Sequence, residues 1–370
     1  MKITTSMKAA AIGGIAMIAL TSCAANEAGP TTPPAGTDEG TTSSSLTGTL
    51  VGGGASSQDS AQSAWIAAFQ IANDGVTINY DPAGSGAGRE TFQQGASAFA
   101  GSDRAFKLEE ISAGPFAGCA TGDLVEIPAY ISPIAIVFNL DGVDSLNMDP
   151  ELVANIFTGK VSKWNDPAIA ALNEGVDLPD TNISAVHRSD KSGTTGNFTD
   201  YLAATAPDVW TAGSVEEWPT ELGGEGAAQT SGLVSAVTNG VGTIGYADAS
   251  RAEGLGTVTV KVGDEFVGYY PEAAAAIVDH SELETGRTPN DLAVILDRTS
   301  AEAGVYPIVL VSYLIGCEQY ADAANAELVK AYFSYIVSEE GQQAAAEAAG
   351  SAPISADLRS KIEPAIAAIS

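Results

Sequence analysis

A chain of 370 residues with 16 Lys+Arg against 46 Asp+Glu carries a formal net charge of −30. A field of that sign repels nucleic acid and anionic lipid, so an anion held by this protein must be caught by local dipoles and hydrogen bonds. The length is too great for one small core and points to two domains.

Residues 1–22 read as a secretion signal, with Lys2 and Lys8 in a cationic start and Ala9 to Leu20 forming an apolar stretch too short to span a bilayer. The ending Leu20-Thr21-Ser22-Cys23 resembles a bacterial lipobox, which makes Cys23 the lipidated first residue of the mature protein. Residues 23–45 follow as a linker of Thr, Ser, Pro, Gly and Ala with no apolar periodicity, expected to be a flexible tether. No later stretch is long and apolar enough for a transmembrane helix.

The body alternates strand-like and helical segments, the grammar of an α/β fold. Leu46 to Val51 and Val76 to Tyr80 read as strands, and between them Ala61, Trp65, Ala68, Phe69 and Ala72 recur at helical spacing. Val125 to Asn139 and Val305 to Ile315 are apolar, β-rich runs suited to crossing between domains. Ile183 to Arg188 reads as another strand, followed by a helix with Phe198, Tyr201 and Leu202 on one face. The Ala/Glu-rich region Ala321 to Ala349 has the pattern of a packing helix with a solvated acidic face.

Three loops then stand out: Gly52-Gly53-Gly54-Ala55-Ser56-Ser57, Gly84-Ser85-Gly86-Ala87-Gly88, and Arg188-Ser189-Asp190-Lys191-Ser192-Gly193-Thr194. Each is expected to leave a strand and open a helix, where N–H groups lack intrahelical partners and glycines allow close approach, a setting suited to a tetrahedral oxyanion. Ser56, Ser57, Ser85, Ser192 and Thr194 add hydroxyls, and Asp190 is spaced to orient Arg188 against the anion. Asp103 is out of place beside a fully ionised anion but can accept a hydrogen bond from one that still carries a proton, as phosphate does near neutral pH and sulfate does not. Catalytic chemistry is thinly represented. Only His187 and His280 are available, His187 is expected to be a packing or surface residue, and there is no zinc motif, P-loop, dinucleotide fingerprint or nucleophile elbow. With Cys23 assigned to lipid, Cys119 and Cys317 remain in an oxidising compartment, as a disulfide or as two buried thiols.

Taken in order, the landmarks Gly-Gly-Gly-Ala-Ser-Ser (52–57), Asn-Tyr-Asp-Pro-Ala-Gly-Ser-Gly (79–86), Ala-Gly-Ser-Asp (100–103), Ile-Phe-Thr-Gly-Lys-Val-Ser-Lys-Trp-Asn-Asp (156–166), His-Arg-Ser-Asp-Lys-Ser-Gly-Thr-Thr (187–195) and Ile-Gly-Tyr (244–246) make the chain resemble the phosphate-binding proteins of bacterial phosphate-specific ABC importers. The Arg-x-Asp-x-Ser-Gly-Thr element is the specific one. The resemblance implies a two-domain periplasmic-binding-protein fold of type II, with ligand in the interdomain cleft. Residues 46–131 plus 312–370 would form domain one and 132–311 domain two, which puts Cys119 and Cys317 together in domain one. It also implies a phosphate site made of Ser56, Ser57, Ser85, Asp103, Arg188, Ser192, Gly193 and Thr194, with Asp190 supporting the arginine. No metal, cofactor or nucleic acid is expected, and the protein is expected to be a monomer. The implied partners are inorganic phosphate, the permease subunits and, through them, the ATPase, with the membrane reached by the lipid anchor alone on its outer face. Two departures stand out: the family's first loop often reads Ala-Thr-Phe where this chain has Ala55-Ser56-Ser57, and its second often reads Gly-Ser-Ser-Gly-Gly where this chain has Gly84-Ser85-Gly86. The rival readings are a binder of another oxyanion such as sulfate or molybdate, a phosphatase using Ser192 or Thr194, and a surface interaction protein that has lost transport.

Overall fold

The computed structural model describes residues 46–279 and 281–370. The signal, Cys23, the linker and His280 lie outside the described residues.

In chain order the elements are β1 (Gly48–Gly54), a 3-10 turn (Ser56–Gln58), α1 (Asp59–Ala72), β2 (Val76–Asp81), α2 (Ser85–Gln93), β3 (Phe99–Ser102), α3 (Leu108–Ala113) and the long β4 (Leu124–Asn139). There follow β5 (Ser145–Met148), α4 (Pro150–Phe157), α5 (Pro167–Leu172), β6 (Ser184–Arg188), α6 (Gly193–Thr205), β7 (Glu225–Ala227), α7 (Gln229–Asn239) and β8 (Thr243–Asp248). The chain closes with β9 (Gly256–Val262), β10 (Glu265–Val267), α8 (Pro271–Asp279), β11 (Glu282–Leu283), β12 (Val294–Ile295), β13 (Val309–Cys317), α9 (Ala323–Val337), α10 (Glu339–Ala349) and α11 (Ala356–Ala368).

The main sheet runs β2-β1-β3-β13-β4-β8-β6-β7. Strand β1 pairs parallel with both β2 and β3, and β6 pairs parallel with β7 and β8. β4 is the element on which the fold turns. It is buried over all but its last residue, as its unbroken apolar run demands, and it pairs antiparallel with β13 through Leu124–Pro133 and with β8 through Ile134–Asn139. Both expected crossing points, 131/132 and 311/312, fall inside strands, on β4 and β13 respectively. The second apolar run differs in detail from its expected span: Val305 to Ile308 precede the strand, which continues to Cys317.

Cys119 and Cys317 are joined as a disulfide, with Cα atoms 5.4 Å apart. The acidic C-terminal region is two helices rather than one. Ser338 leaves helical geometry at φ −63, ψ 163 and its hydroxyl accepts from Gly341 N–H, which caps α10 and ends α9. Tyr332, Phe333 and Ile336 are buried, Phe69 on α1 meets the Tyr332 ring with centroids 5.3 Å apart, and the Trp65 indole N–H donates to Gly341 O at 2.6 Å. No helix among the described residues is long and apolar enough to cross a membrane.

Candidate functional site

The three loops are positioned by one rule. Ser56 and Ser57, Ser85 and Asp103 follow the carboxyl ends of β1, β2 and β3, and Arg188 is the last residue of β6, so all lie at the strand ends where open α/β sheets bind ligands. The loops are stitched together by main-chain bonds: Gly84 N–H to Gly54 O at 2.7 Å, Ala55 N–H to Gly101 O at 2.8 Å, and Gly86 N–H to Lys191 O at 3.0 Å. All eight candidate binding residues are buried, and most are interlinked.

Asp103 is the hub. Its Oδ1 accepts from Ser57 Oγ at 2.6 Å and from Ser312 Oγ at 2.7 Å, and its Oδ2 accepts from Thr194 Oγ1 at 2.9 Å. Burial pushes the Asp103 carboxyl above the usual carboxylate range, although the Ser57, Ser312 and Thr194 hydroxyls and the Arg188 charge pull the other way. A carboxylate offers about four acceptor positions, so these three hydroxyls leave one on the side of Oδ2. The backbone around it is held as firmly: Asp103 N–H donates to Ser85 Oγ at 3.1 Å, and Asn197 Nδ2 donates to Asp103 O at 2.7 Å.

Arg188 is 2% exposed and forks onto Asp190, with Nε donating to Oδ1 at 2.7 Å and Nη2 to Oδ2. The two residues therefore do face the same side. Burial tends to raise Asp190, but the hydrogen bond and charge of Arg188 outweigh it and hold the carboxyl below its ordinary range. Asp190 Oδ1 also accepts from Gln229 N–H at 2.9 Å. Gln229 does so at φ 62, the only positive φ outside glycine among the described residues, a conformation that costs of order 1–3 kcal/mol. Behind Arg188, its N–H reaches the Tyr246 hydroxyl at 3.3 Å, which also bonds Thr195 Oγ1 at 2.7 Å. His187 points elsewhere and stacks on Trp218 with ring centroids 4.9 Å apart, which is the packing alternative of the packing or surface role expected of it.

The remaining candidates occupy the same cluster with distinct tasks. Ser192 caps α6, its hydroxyl accepting from Thr195 N–H at 3.2 Å. Gly193 is needed for clearance, since a Cβ there would stand 2.6 Å from both Asp103 Cβ and Ser85 Oγ. At Gly86 a Cβ would stand 2.5 Å from Lys191 Cγ. Ser56 is turned aside: its hydroxyl bonds Thr230 Oγ1 at 3.0 Å and accepts Thr230 N–H at 3.1 Å, tying the first loop to α7.

Sequence reasoning missed Gln58, Asn197, Thr230 and Ser312. Gln58 Nε2 donates to Ser312 Oγ at 2.6 Å, so Asp103 is backed by a relay from a strand more than two hundred residues away. The β4–β13 register shifts between Ser312 and Tyr313, which is where this serine sits. Its only local signal was a polar residue inside an apolar run.

This fold and these loops define a solute-binding protein: the profile described as a PBP superfamily domain matches residues 39–340. The chain is 36% identical over 330 residues to the phosphate-binding protein PstS 3 of Mycobacterium leprae, covering 87% of each chain. It is 33% identical over 325 residues to the phosphate-binding protein PstS 2 of Mycobacterium tuberculosis, covering 86% of each. The chain belongs to the PstS family of phosphate-binding proteins. Among solved structures, a high affinity periplasmic phosphate-binding protein bound with phosphate superposes with a TM-score of 0.69 at 21% identity, over 86% of this chain and 93% of that one. A Clostridium perfringens protein with bound phosphate superposes with a TM-score of 0.57 at 20% identity, over 82% of this chain and 98% of that one. These two likenesses support the fold.

Proposed function

We propose that this protein binds inorganic phosphate outside the cytoplasmic membrane and hands it to the permease of an ABC importer, without chemical turnover. The observation that carries the reading is the convergence of Ser57, Ser85, Asp103, Arg188, Ser192, Gly193 and Thr194 in one buried cluster around a carboxylate. The names of the Mycobacterium relatives support the choice of anion. Domain one (46–131 plus 312–370) and domain two (132–311) contribute to opposite sides of the cluster, with β4 and β13 between them.

The chemistry of capture follows from proton counting. Ser57 and Thr194 each have a single hydroxyl proton, which here points to Asp103. When a hydrogen-phosphate enters, its own P–OH donates to the acceptor position left beside Asp103 Oδ2, while the Ser57 and Thr194 protons stay on the carboxylate. Arg188, held in plane by Asp190, adds charge-assisted bonds, and the first N–H groups of α6 and of the turn at Ser56 supply dipoles. A sulfate dianion has no proton to offer Asp103. Ser56 and the support of Asp190 complete the proposed site, and Cys23 is proposed to anchor the chain by lipid to the outer face of the membrane.

Calorimetric titration of the purified protein with phosphate, arsenate, sulfate and molybdate tests the function, with binding expected for phosphate and arsenate alone. Sulfate or molybdate as the only ligand would replace phosphate as the solute, and hydrolysis of an aryl phosphate would reinstate an enzyme. Cys23→Ser is expected to release the protein from the membrane fraction, and unchanged fractionation with lipid labelling refutes the anchor.

A further inference from the structure

Glu216 lies outside the cluster just described, yet it joins three of the elements that build it. Its carboxylate accepts from Arg89 Nη2 at 2.7 Å on both oxygens, and Oε2 also accepts from Arg104 Nε at 2.9 Å. Arg89 stands one turn along α2 from Ser85, is 3% exposed, and spends its other arm on Ser102 Oγ at 2.6 Å. Arg104 directly follows Asp103 and is braced by Glu110 through two bonds at 2.7 and 2.8 Å. From its main chain, Glu216 O accepts Ser192 N–H at 3.0 Å. One residue thus grips the helix of Ser85 and the strand end of Asp103 with its side chain, and the loop of Ser192 with its backbone.

The gripped residues fall on both sides of a covalent divide. Arg89 and Arg104 belong to segment 46–131, Glu216 to segment 132–311, and the chain passes between the two only along β4 and β13. We propose that Glu216 is a closure latch, a positioning residue whose ion pairs with Arg89 and Arg104 hold the two segments together over bound phosphate and set how long the anion stays. The proposal rests on the phosphate-binding reading.

Apart, these side chains hydrate individually; together, Arg89 is stripped of water and depends on Glu216 for a counter-charge. Removing that carboxylate therefore penalises the closed arrangement selectively, because it leaves a buried guanidinium uncompensated. Burial tends to raise Glu216, but the charges and hydrogen bonds of Arg89 and Arg104 outweigh it and hold the carboxyl below its ordinary range, so it is ionised at neutral pH. A groove of about 990 Å³ is lined by Glu216, Arg104 and Lys191 as well as by Asp103 and Gly193, which gives water a path to the latch as the segments part.

The test is the release of radiolabelled phosphate into an excess of unlabelled phosphate, measured for wild type, Glu216→Gln and Arg104→Gln, together with the ligand-free melting temperature of each. Glu216→Gln is expected to release phosphate about tenfold to hundredfold faster, the range for losing charge-assisted hydrogen bonds, while association is little changed. Arg104→Gln is expected to show a smaller effect of the same sign, because the Arg89 pair remains, and it carries the test if Glu216→Gln does not fold. Ligand-free melting temperatures are expected to stay within about 3 °C of wild type. Release at the wild-type rate overturns the latch and leaves phosphate binding intact. Faster release with a ligand-free melting temperature lowered by more than about 5 °C makes Glu216 a general brace and also overturns it. A wild type that retains no phosphate overturns both readings.

Discussion

Replacing Asp103 with Asn keeps the size of the side chain and exchanges one acceptor for a donor at the hub of the cluster. In wild type, three hydroxyls fill three acceptor positions and a P–OH takes the one left beside Oδ2. Losing that charge-assisted bond is expected to weaken phosphate by about 1.5–3 kcal/mol, roughly tenfold to hundredfold. For sulfate the sign reverses. Two unit charges about 3 Å apart in a medium of effective dielectric about 20 repel by roughly 5 kcal/mol, and Asp103→Asn removes that repulsion. The two effects add in the selectivity ratio, which is expected to fall by at least about a hundredfold from a wild-type preference of roughly four orders of magnitude. Titration calorimetry of both proteins with both anions, at one pH and one salt concentration, reads the ratio directly. An Asp103→Asn protein that still rejects sulfate as wild type does refutes the reasoning and moves the discrimination elsewhere.

Arg188→Ala is expected to weaken phosphate binding at least tenfold to hundredfold; adding Asp190→Asn should recover lost stability without recovering affinity, and unchanged titrations would place the anion elsewhere. Reducing the Cys119–Cys317 bond, which closes a sequence separation of 198 residues, is expected to lower stability by up to about 5 kcal/mol in the chain-entropy model, read by urea unfolding with and without reductant. Burial pushes the Asp248 carboxyl from 3.8 up to about 6, against hydrogen bonds from Ser250, Ser132 and Tyr130, so the folded state binds this proton more tightly than the unfolded chain. Its stabilising contribution is complete below about pH 4 and is lost as pH rises through about 6, so Asp248→Asn should gain on wild type by up to about 3 kcal/mol between pH 4 and pH 8. Parallel urea curves whose separation is independent of pH would contradict this.

Much of the site was legible because it is local. Each of the three loops announces itself by glycines and hydroxyls placed between a β run and a helical run, and Arg188 and Asp190 are close enough in sequence for their pairing to be read from spacing. What stayed hidden is what arrives from far away. Ser312 reaches Asp103 only because β13 lies between β3 and β4 and shifts register at that residue. Glu216 reads as one acid among many in an acidic chain until the fold brings Arg89 and Arg104 to it. Gln229 carried no sign of its positive φ, since nothing in its neighbourhood demands one except Asp190. The division of the C-terminal helical region was missed for another reason: Ser338 is a good cap only if the chain turns there, and the Ala/Glu pattern on either side is equally content to run straight through.

The contact between Gly86 and Lys191 gives meaning to the departure in the second loop. At position 86 this chain leaves the α2 side bare, and the stem of Lys191 from the third loop fills the space. The two positions behave as one compartment of fixed size shared between distant stretches of sequence. A side chain at 86 alone must push the lysine aside, and shortening Lys191 alone opens a gap where the main chains of the two loops meet. Exchange between the two arrangements is therefore a paired event: Gly86→Ser is tolerated in company with a smaller residue at 191 and disfavoured without it.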